Sequence, residues 1–473
     1  MTIIEADEAG SASGTANLLL DRAGPSGADG RLGHRWILDW RPEDTRFWAD
    51  GGRQIARRNL IFSIFSEHIG FSIWSLWSVF VLFLGPEYGL QPAQKFLLTT
   101  VSGAVGAAMR IPYTFAVARF GGRNWTLVSA LLLLVPCAFL AVVLEPGVSF
   151  TTLLVAAAIG GVGGGNFSSS MANIDAFYPI RLKGWALGLN AGGGNIGVAA
   201  VQLVGLAVMA LGGRGHPRLI LAIYLPLVLA AALCAYFFMD NLASASNDRR
   251  AMRDVARQPH TWSISFLYIG TFGSFIGFSF AFGQVLQVQF GDIFDTPLKA
   301  AYLTFLGPLL GSLMRPVGGR LADRFGGSRV TIANFAAMAA GATAVLVASR
   351  TASLWLFLVG FVALFVLSGL GNGSTYKMIP SIFAAKARRR VAQGQPAPEA
   401  DHDARRLSRA LIGVAGATGA FGGVAVNLAL RQSFLERQSG DAAYIAFIAY
   451  YATCVGLAWL VYVRPSAHRL EGV

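Results

Sequence analysis

RIPYTFAVARFGG at 110–122 and RPVGGRLADRFGG at 315–327 are two copies of one segment, each opening on an arginine with RFGG nine residues later, at an offset of 205. Working outward, IGFS at 69–72 recurs at 276–279, an offset of 207, and GVGGG at 161–165 is echoed by GLGNG at 369–373, an offset of 208. Three near-equal offsets in the same order mark a duplicated unit. Apolar runs surround every copy. They lie near 59–84, 95–118, 124–144, 149–178, 183–211, 216–239, 261–290, 297–323, 328–349, 352–384, 407–430 and 441–463. Each is long enough to cross a hydrocarbon core, which takes about 20 helical residues, and only helices satisfy all backbone groups over such lengths of lipid. The expected fold is an all-α integral membrane protein of twelve transmembrane helices in two pseudo-symmetric six-helix halves, 59–239 and 261–464. A polar linker at 240–260 joins them.

Composition agrees. Of 473 residues, 54% are hydrophobic and 13% charged, with a mean hydropathy of +0.53, whereas soluble domains carry about 25% charged residues. The formal charge of +13 sits in short segments between apolar runs and forms no aromatic-basic module, so nucleic acid is excluded as a partner and the lipid surface is favoured. With the N-terminus inside, the inner flanks and loops carry 23 Lys and Arg against 7 outside. That bias places both termini in the cytoplasm of a multi-pass plasma (inner) membrane protein. Cys137, Cys234 and Cys454 lie in apolar stretches without a CxxC, as packing residues do. No catalytic triad, metal cluster or phosphate loop is present, so neither an enzyme nor a cofactor is expected.

Residues 1–58 form a cytoplasmic tail. Its first 35 residues have the composition of a disordered segment, and Trp36, Trp40 and Trp48 suit either a helix at the lipid interface or an ordered tail. The basic stretch 385–409 is read as a long inner loop that helps fix orientation, and 465–473 as a second tail.

Charged residues within the spans are the informative exceptions. Arg110 and Arg315 fall within roughly 5–8 Å of the midplane at ~1.5 Å per residue, where an arginine costs about 2.5–3.5 kcal/mol even on insertion scales. Neither has an acid nearby in sequence. As duplicate positions they should face one cavity, where two guanidinium groups repel unless an anion lies between them. Arginine's planar fork suits a planar oxyanion. The competing reading is neutralisation by Glu67 or Asp175 from another helix. Asn166, Asn190 and Asn195 sit at depths where an amide needs a partner or a wet cavity. The adjacent pair Glu67-His68 could carry a proton or simply make a structural bond. Lys377, near an inner helix end, reads as a residue that snorkels to the interface.

GGVGGGNFSSSMANIDAFYP (160–179) followed by KGWALGLNAGGGNIGVAAVQL (183–203) resembles the nitrate signature of the nitrate/nitrite porter family within the major facilitator superfamily, and GVAGATGAFGG (413–423) resembles its second-half counterpart. RLADRFGGSRV (320–330), with Arg320, Asp323 and Arg324, resembles the superfamily's cytoplasmic loop motif. The first-half copy has an apolar residue in place of Asp323. The resemblance spans roughly 50–465. It implies transport of nitrate and nitrite, with Arg110 and Arg315 clamping the anion, Phe167 and Phe272 against its flat faces, Tyr268 donating a hydrogen bond, and Asn190 and Asn195 lining the pocket. Without the resemblance, the two phenylalanines read as core or lipid-facing rings. Expected is a monomeric nitrate/nitrite antiporter working by alternating access. Proton symport through Glu67 or His68, an anion channel and a non-transporting sensor are the alternatives.

Overall fold

A computed structural model describes residues 35–243, 249–465 and 470; the expected disorder before residue 35 and most of the C-terminal tail lie outside them. The chain is almost wholly helical. Among the described residues, ten helices are long and apolar enough to cross a membrane: α1 (Thr45–Phe83), α3 (Gly122–Val143), α4 (Phe150–Phe177), α5 (Ile180–Gly212), α6 (Arg218–Phe238), α7 (Pro259–Gln289), α9 (Gly327–Arg350), α10 (Leu354–Ala392), α11 (Ala397–Arg437) and α12 (Asp441–Val463). Two further helical stretches, α2 (Pro92–Phe120) and α8 (297–325, with a break at Phe305), complete twelve. These two are less apolar because they carry the duplicated arginines and the basic residues leading into RFGG.

The duplication is visible in backbone detail. Gly121 ends α2 at φ +87° and Gly326 ends α8 at φ +91°, a conformation that L side chains rarely adopt. The glycine after each lies against the other long helix of its half: a Cβ on Gly122 would fall 1.8 Å from Asn173 Oδ1 of α4, and one on Gly327 would fall 2.6 Å from Met378 Cγ of α10. RFGG is therefore a tight helix-to-helix corner in both halves. These corners lie at one end of the bundle, its basic end.

Two regions differ from the sequence reading. The stretch 385–409 is not a loop. Helix α10 runs to Ala392 and α11 starts at Ala397, so only 393–396 are non-helical. Beyond the apolar part of each helix, ion pairs sustain the coil: Arg390–Asp403 at 3.4 Å, and Arg406 to Asp254 of the short linker helix Arg249–Ala256 at 2.8 Å. The tryptophan-rich tail packs against protein. Strand β1 (Trp36–Ile37) pairs in parallel with β2 (Asn241–Leu242) of the linker. Trp40 donates to the Phe177 carbonyl at 3.2 Å, and Trp48 meets the Tyr178 ring edge-on. Both indoles are buried, so they secure the tail to the α4–α5 corner and do not face a lipid interface.

The halves touch at both ends of the bundle. At the end away from RFGG, Phe96 of α2 stacks on Phe434 of α11 at 5.6 Å, and Thr99 donates to Asn427 at 3.2 Å. Gln202 of α5 donates to the Ser279 carbonyl of α7 at 2.9 Å. At the basic end Asp175 of α4 pairs with Arg409 of α11 at 2.8 Å, and with Lys183 of α5 at 3.0 Å.

Candidate functional site

Between these two contact zones both duplicated arginines are buried. Both approach the same aromatic ring, Phe167 of α4: the Arg110 guanidinium carbon lies 4.5 Å from its centroid and that of Arg315 6.0 Å. The equivalent helices α2 and α8 thus bring their arginines to one ring.

Arg110 is held by main-chain carbonyls from both glycine-rich signatures. Its Nε donates to Gly164 O at 3.3 Å and its Nη1 to Gly416 O at 2.6 Å. Four rings surround it, with centroids at 4.5 Å (Phe167), 4.9 Å (Phe272), 5.3 Å (Trp74) and 5.9 Å (Phe71). Their quadrupoles offset part of the charge's lost hydration. Arg315 has fewer partners. Its Nη2 donates to the Tyr268 hydroxyl at 3.1 Å, and its guanidinium carbon lies 5.3 Å from the Tyr376 ring. Arg110 Nη2 and Arg315 Nη1 are buried with no hydrogen-bond partner. Among the described residues no carboxylate lies within 4 Å of either guanidinium. Asp175, one candidate neutraliser, is engaged by Lys183 and Arg409 instead. Glu67, the other, lies within electrostatic reach of both arginines but pairs with neither.

Local breaks in the helices shape this site. Helix α4 tightens into a 3₁₀ turn over Gly161–Gly165 just before Phe167, and α7 widens into a π-type turn over Ile269–Gly273, which contains Phe272. Such irregular turns re-aim side chains and recur at functional sites. The glycines of the 3₁₀ turn admit close backbone approach: a Cβ on Gly164 would fall 2.7 Å from Gly106 Cα of α2, and one on Gly163 would fall 2.3 Å from Gly70 O of α1. Phe167 and Phe272 face each other with centroids 6.1 Å apart and planes 27° from parallel, and Tyr268 stacks on Phe272 at 5.4 Å. A flat group touching both faces needs about 7 Å, twice a ~3.5 Å carbon contact. At 6.1 Å the two rings stand closer together than a flat group lying between them would require.

The remaining predicted residues are spread more widely. Asn190 Nδ2 is committed to Glu67 Oε2 at 2.6 Å and Ser170 Oγ at 2.7 Å. Asn195 is buried with both amide atoms unpartnered, as is Asn166. The His68 Nδ1 sits 3.2 Å from the Gly193 carbonyl, which ties it to α5. Of the RFGG-loop residues, Asp323 pairs with Lys377 at 2.8 Å, the Arg324 guanidinium carbon lies 5.1 Å from the Phe325 ring, and Arg320 is exposed. Lys377 therefore fastens α10 to α8 at the basic end. A separate cavity of about 320 Å³ lies at the same end, lined by Glu43, Asp175, Lys183, Arg405 and Arg409 among others.

Trp74, Phe71 and Tyr376, all beside the arginines, were not singled out from sequence. Only their depth within spans could have marked them, and that depth is shared by dozens of apolar residues. Carbonyl capping of Arg110 has no side-chain signal at all, beyond the glycine richness of the segments that supply it.

Comparison with known proteins places the chain clearly. The description Major Facilitator Superfamily attaches to the family model that matches residues 60–395. The nitrate/nitrite transporter NarU of Escherichia coli (strain K12) is 37% identical over 452 residues, covering 91% of this chain and 97% of that protein. The probable nitrate/nitrite antiporter NarK2 of Thermus thermophilus is 33% identical, covering 92% and 98%. Among solved structures, the xylose transporter XylE from E. coli, in a partially occluded inward open conformation, matches with a TM-score of 0.63 at 12% identity, covering 88% of this chain and 99% of that one. At that identity the likeness concerns fold alone.

Proposed function

Because the chain belongs to the nitrate/nitrite porter family of the major facilitator superfamily, we propose that it exchanges nitrate for nitrite across the plasma (inner) membrane by alternating access. The observation that carries this reading is the pair of buried guanidinium groups over one phenyl ring, each with an unpartnered nitrogen and no carboxylate in contact. Such a pair attracts a monovalent anion strongly and specifies a flat one, since the forks supply coplanar donors and the Phe167–Phe272 slot admits little thickness. Nitrate and nitrite share that shape and charge. The relatives named nitrate/nitrite transporter and antiporter point to the same cargo.

Exchange follows from the electrostatics. Importing one anion against an inside-negative potential costs about 2.3 kcal/mol per 100 mV, and one-for-one exchange avoids that cost. Closing the halves around two arginines without an anion between them is unfavourable, so reorientation requires cargo. Both termini lie in the cytoplasm, which makes the basic end the inner one and Asp175–Arg409 an inner contact between halves. The site uses residues of a single chain, consistent with a monomeric carrier. A channel is disfavoured because contacts between halves enclose the site at both ends.

Flux in proteoliposomes tests the reading. Uptake of labelled nitrate should require nitrate or nitrite on the far side and should proceed with no pH gradient imposed. Uptake into anion-free vesicles driven by a pH gradient would instead establish the second reading, nitrate–proton symport, which the burial of Glu67 favours. Tyr268→Phe keeps the stacking on Phe272 and removes the hydroxyl bonded to Arg315. Loss of one hydrogen bond to a charged group is expected to raise the nitrate concentration for half-maximal exchange about tenfold, with no change in protein yield.

A further inference from the structure

We propose that Glu67 is a built-in counter-charge of the anion site, one that weakens anion binding when ionised and makes nitrate affinity rise as pH falls. The proposal rests on the two-arginine reading above. Glu67 is fully buried on α1, and its two oxygens are treated differently. Oε2 accepts from Asn190 of α5 at 2.6 Å, whereas Oε1 is buried without a partner. A Cβ on Gly194 would fall 2.2 Å from that free oxygen. The glycine therefore leaves room for the carboxylate, which gives one position of the glycine-rich α5 segment a definite purpose.

The fold itself does not call for an acid here. The repeat offset of 207 maps Glu67 onto Ser274, whose hydroxyl lies 2.7 Å from that of Tyr451. One half thus carries a carboxylate where its duplicate carries a neutral hydroxyl bond. Among the groups around Glu67, Ser170, Asn190 and Met171 are neutral. His68, next in the chain, turns its Nδ1 to the Gly193 carbonyl. The charged or titratable groups that act on the carboxylate are Arg315 and Arg110, with Tyr376 beyond them.

Charge balance follows. With Glu67 ionised the site holds a net single positive charge, so one nitrate or nitrite brings it to zero. With Glu67 protonated the same anion meets two uncompensated positive charges. Binding of the anion and of a proton to Glu67 therefore favour each other, and by linkage each strengthens the other equally. No covalent step is involved.

Equilibrium binding of labelled nitrate to the purified full-length carrier, from pH 6 to pH 8.5, tests this. Wild-type affinity should rise as pH falls, with net proton uptake on nitrate addition in weakly buffered solution. Glu67→Gln should bind roughly tenfold tighter than wild type at pH 8.5, as expected for removing a like charge within electrostatic reach of the site, and should be flat with pH. Wild type that binds nitrate with neither pH dependence nor proton uptake overturns the proposal and leaves the arginine site standing. A pH dependence that persists in Glu67→Gln overturns it too, and points to His68. Wild type that binds no nitrate overturns the site reading and this proposal together. The proton-uptake measurement needs no variant, so a poorly folding Glu67→Gln would not spare the idea.

Discussion

Replacing Arg110 or Arg315 by lysine is expected to lower nitrate counterflow by roughly 10–100-fold in each case, the range set by losing one charge-assisted hydrogen bond. Lysine keeps the positive charge, so long-range attraction of the anion survives. What it loses is the planar fork, and with it the ability to point donors at an anion while also holding protein groups. The two variants should differ in one respect. Arg110 also ties Gly164 of α4 to Gly416 of α11 through its Nε and Nη1, so Arg110→Lys loosens the contact between halves. Arg315 has one protein hydrogen bond, to Tyr268. Thermal unfolding in detergent should therefore show Arg110→Lys destabilised and Arg315→Lys close to wild type, while counterflow collapses in both. Equal counterflow in wild type and either variant would remove that arginine from the site.

Gly373→Ala is expected to be a severely damaging single-methyl change in the second half. A Cβ there would fall 2.1 Å from the Arg315 carbonyl oxygen and 2.6 Å from the Gly319 nitrogen. Both are backbone atoms of α8, so no side chain can swing aside. Relief requires α10 to back away from α8 along the stretch that carries Arg315. Overpacking of this kind costs about 1–3 kcal/mol or more, and it displaces the guanidinium from Phe167. Counterflow should fall more than about tenfold by loss of site geometry, with reduced thermal stability. Gly319→Ala is the matched control, because nothing lies within 4 Å of a Cβ at that position. It should transport normally.

Much of this was legible in sequence because it rests on features that repeat along the chain. Twelve apolar runs translate directly into twelve helices, since lipid leaves the backbone no other way to satisfy its polar groups. Arg110 and Arg315 stand out because charge at that depth is costly, and their common repeat offset predicts that they converge. What sequence missed arises between segments far apart in the chain. The carbonyl that receives Arg110 belongs to Gly416, 306 residues away, and a carbonyl has no side-chain signature. Trp74 and Tyr376 flank the arginines, yet are two aromatics among 55. Asn190, which the family resemblance places on the anion, is bonded in this structure to Glu67, because α1 brings a carboxylate that the duplicated half lacks. The stretch 385–409 looked like a loop because its charges break the apolar pattern, but a helix leaving the membrane can carry charge freely once Asp403 and Asp254 pair with its arginines.

The two-arginine site predicts, in an experimental density map of the carrier with nitrate bound, a flat feature within hydrogen-bond distance of Arg110 Nη2 and Arg315 Nη1, with the Phe167 and Phe272 rings parted to receive it. Nitrate found instead in the basic-end cavity beside Lys183, Arg405 and Arg409, with the two buried arginines unliganded, would contradict it.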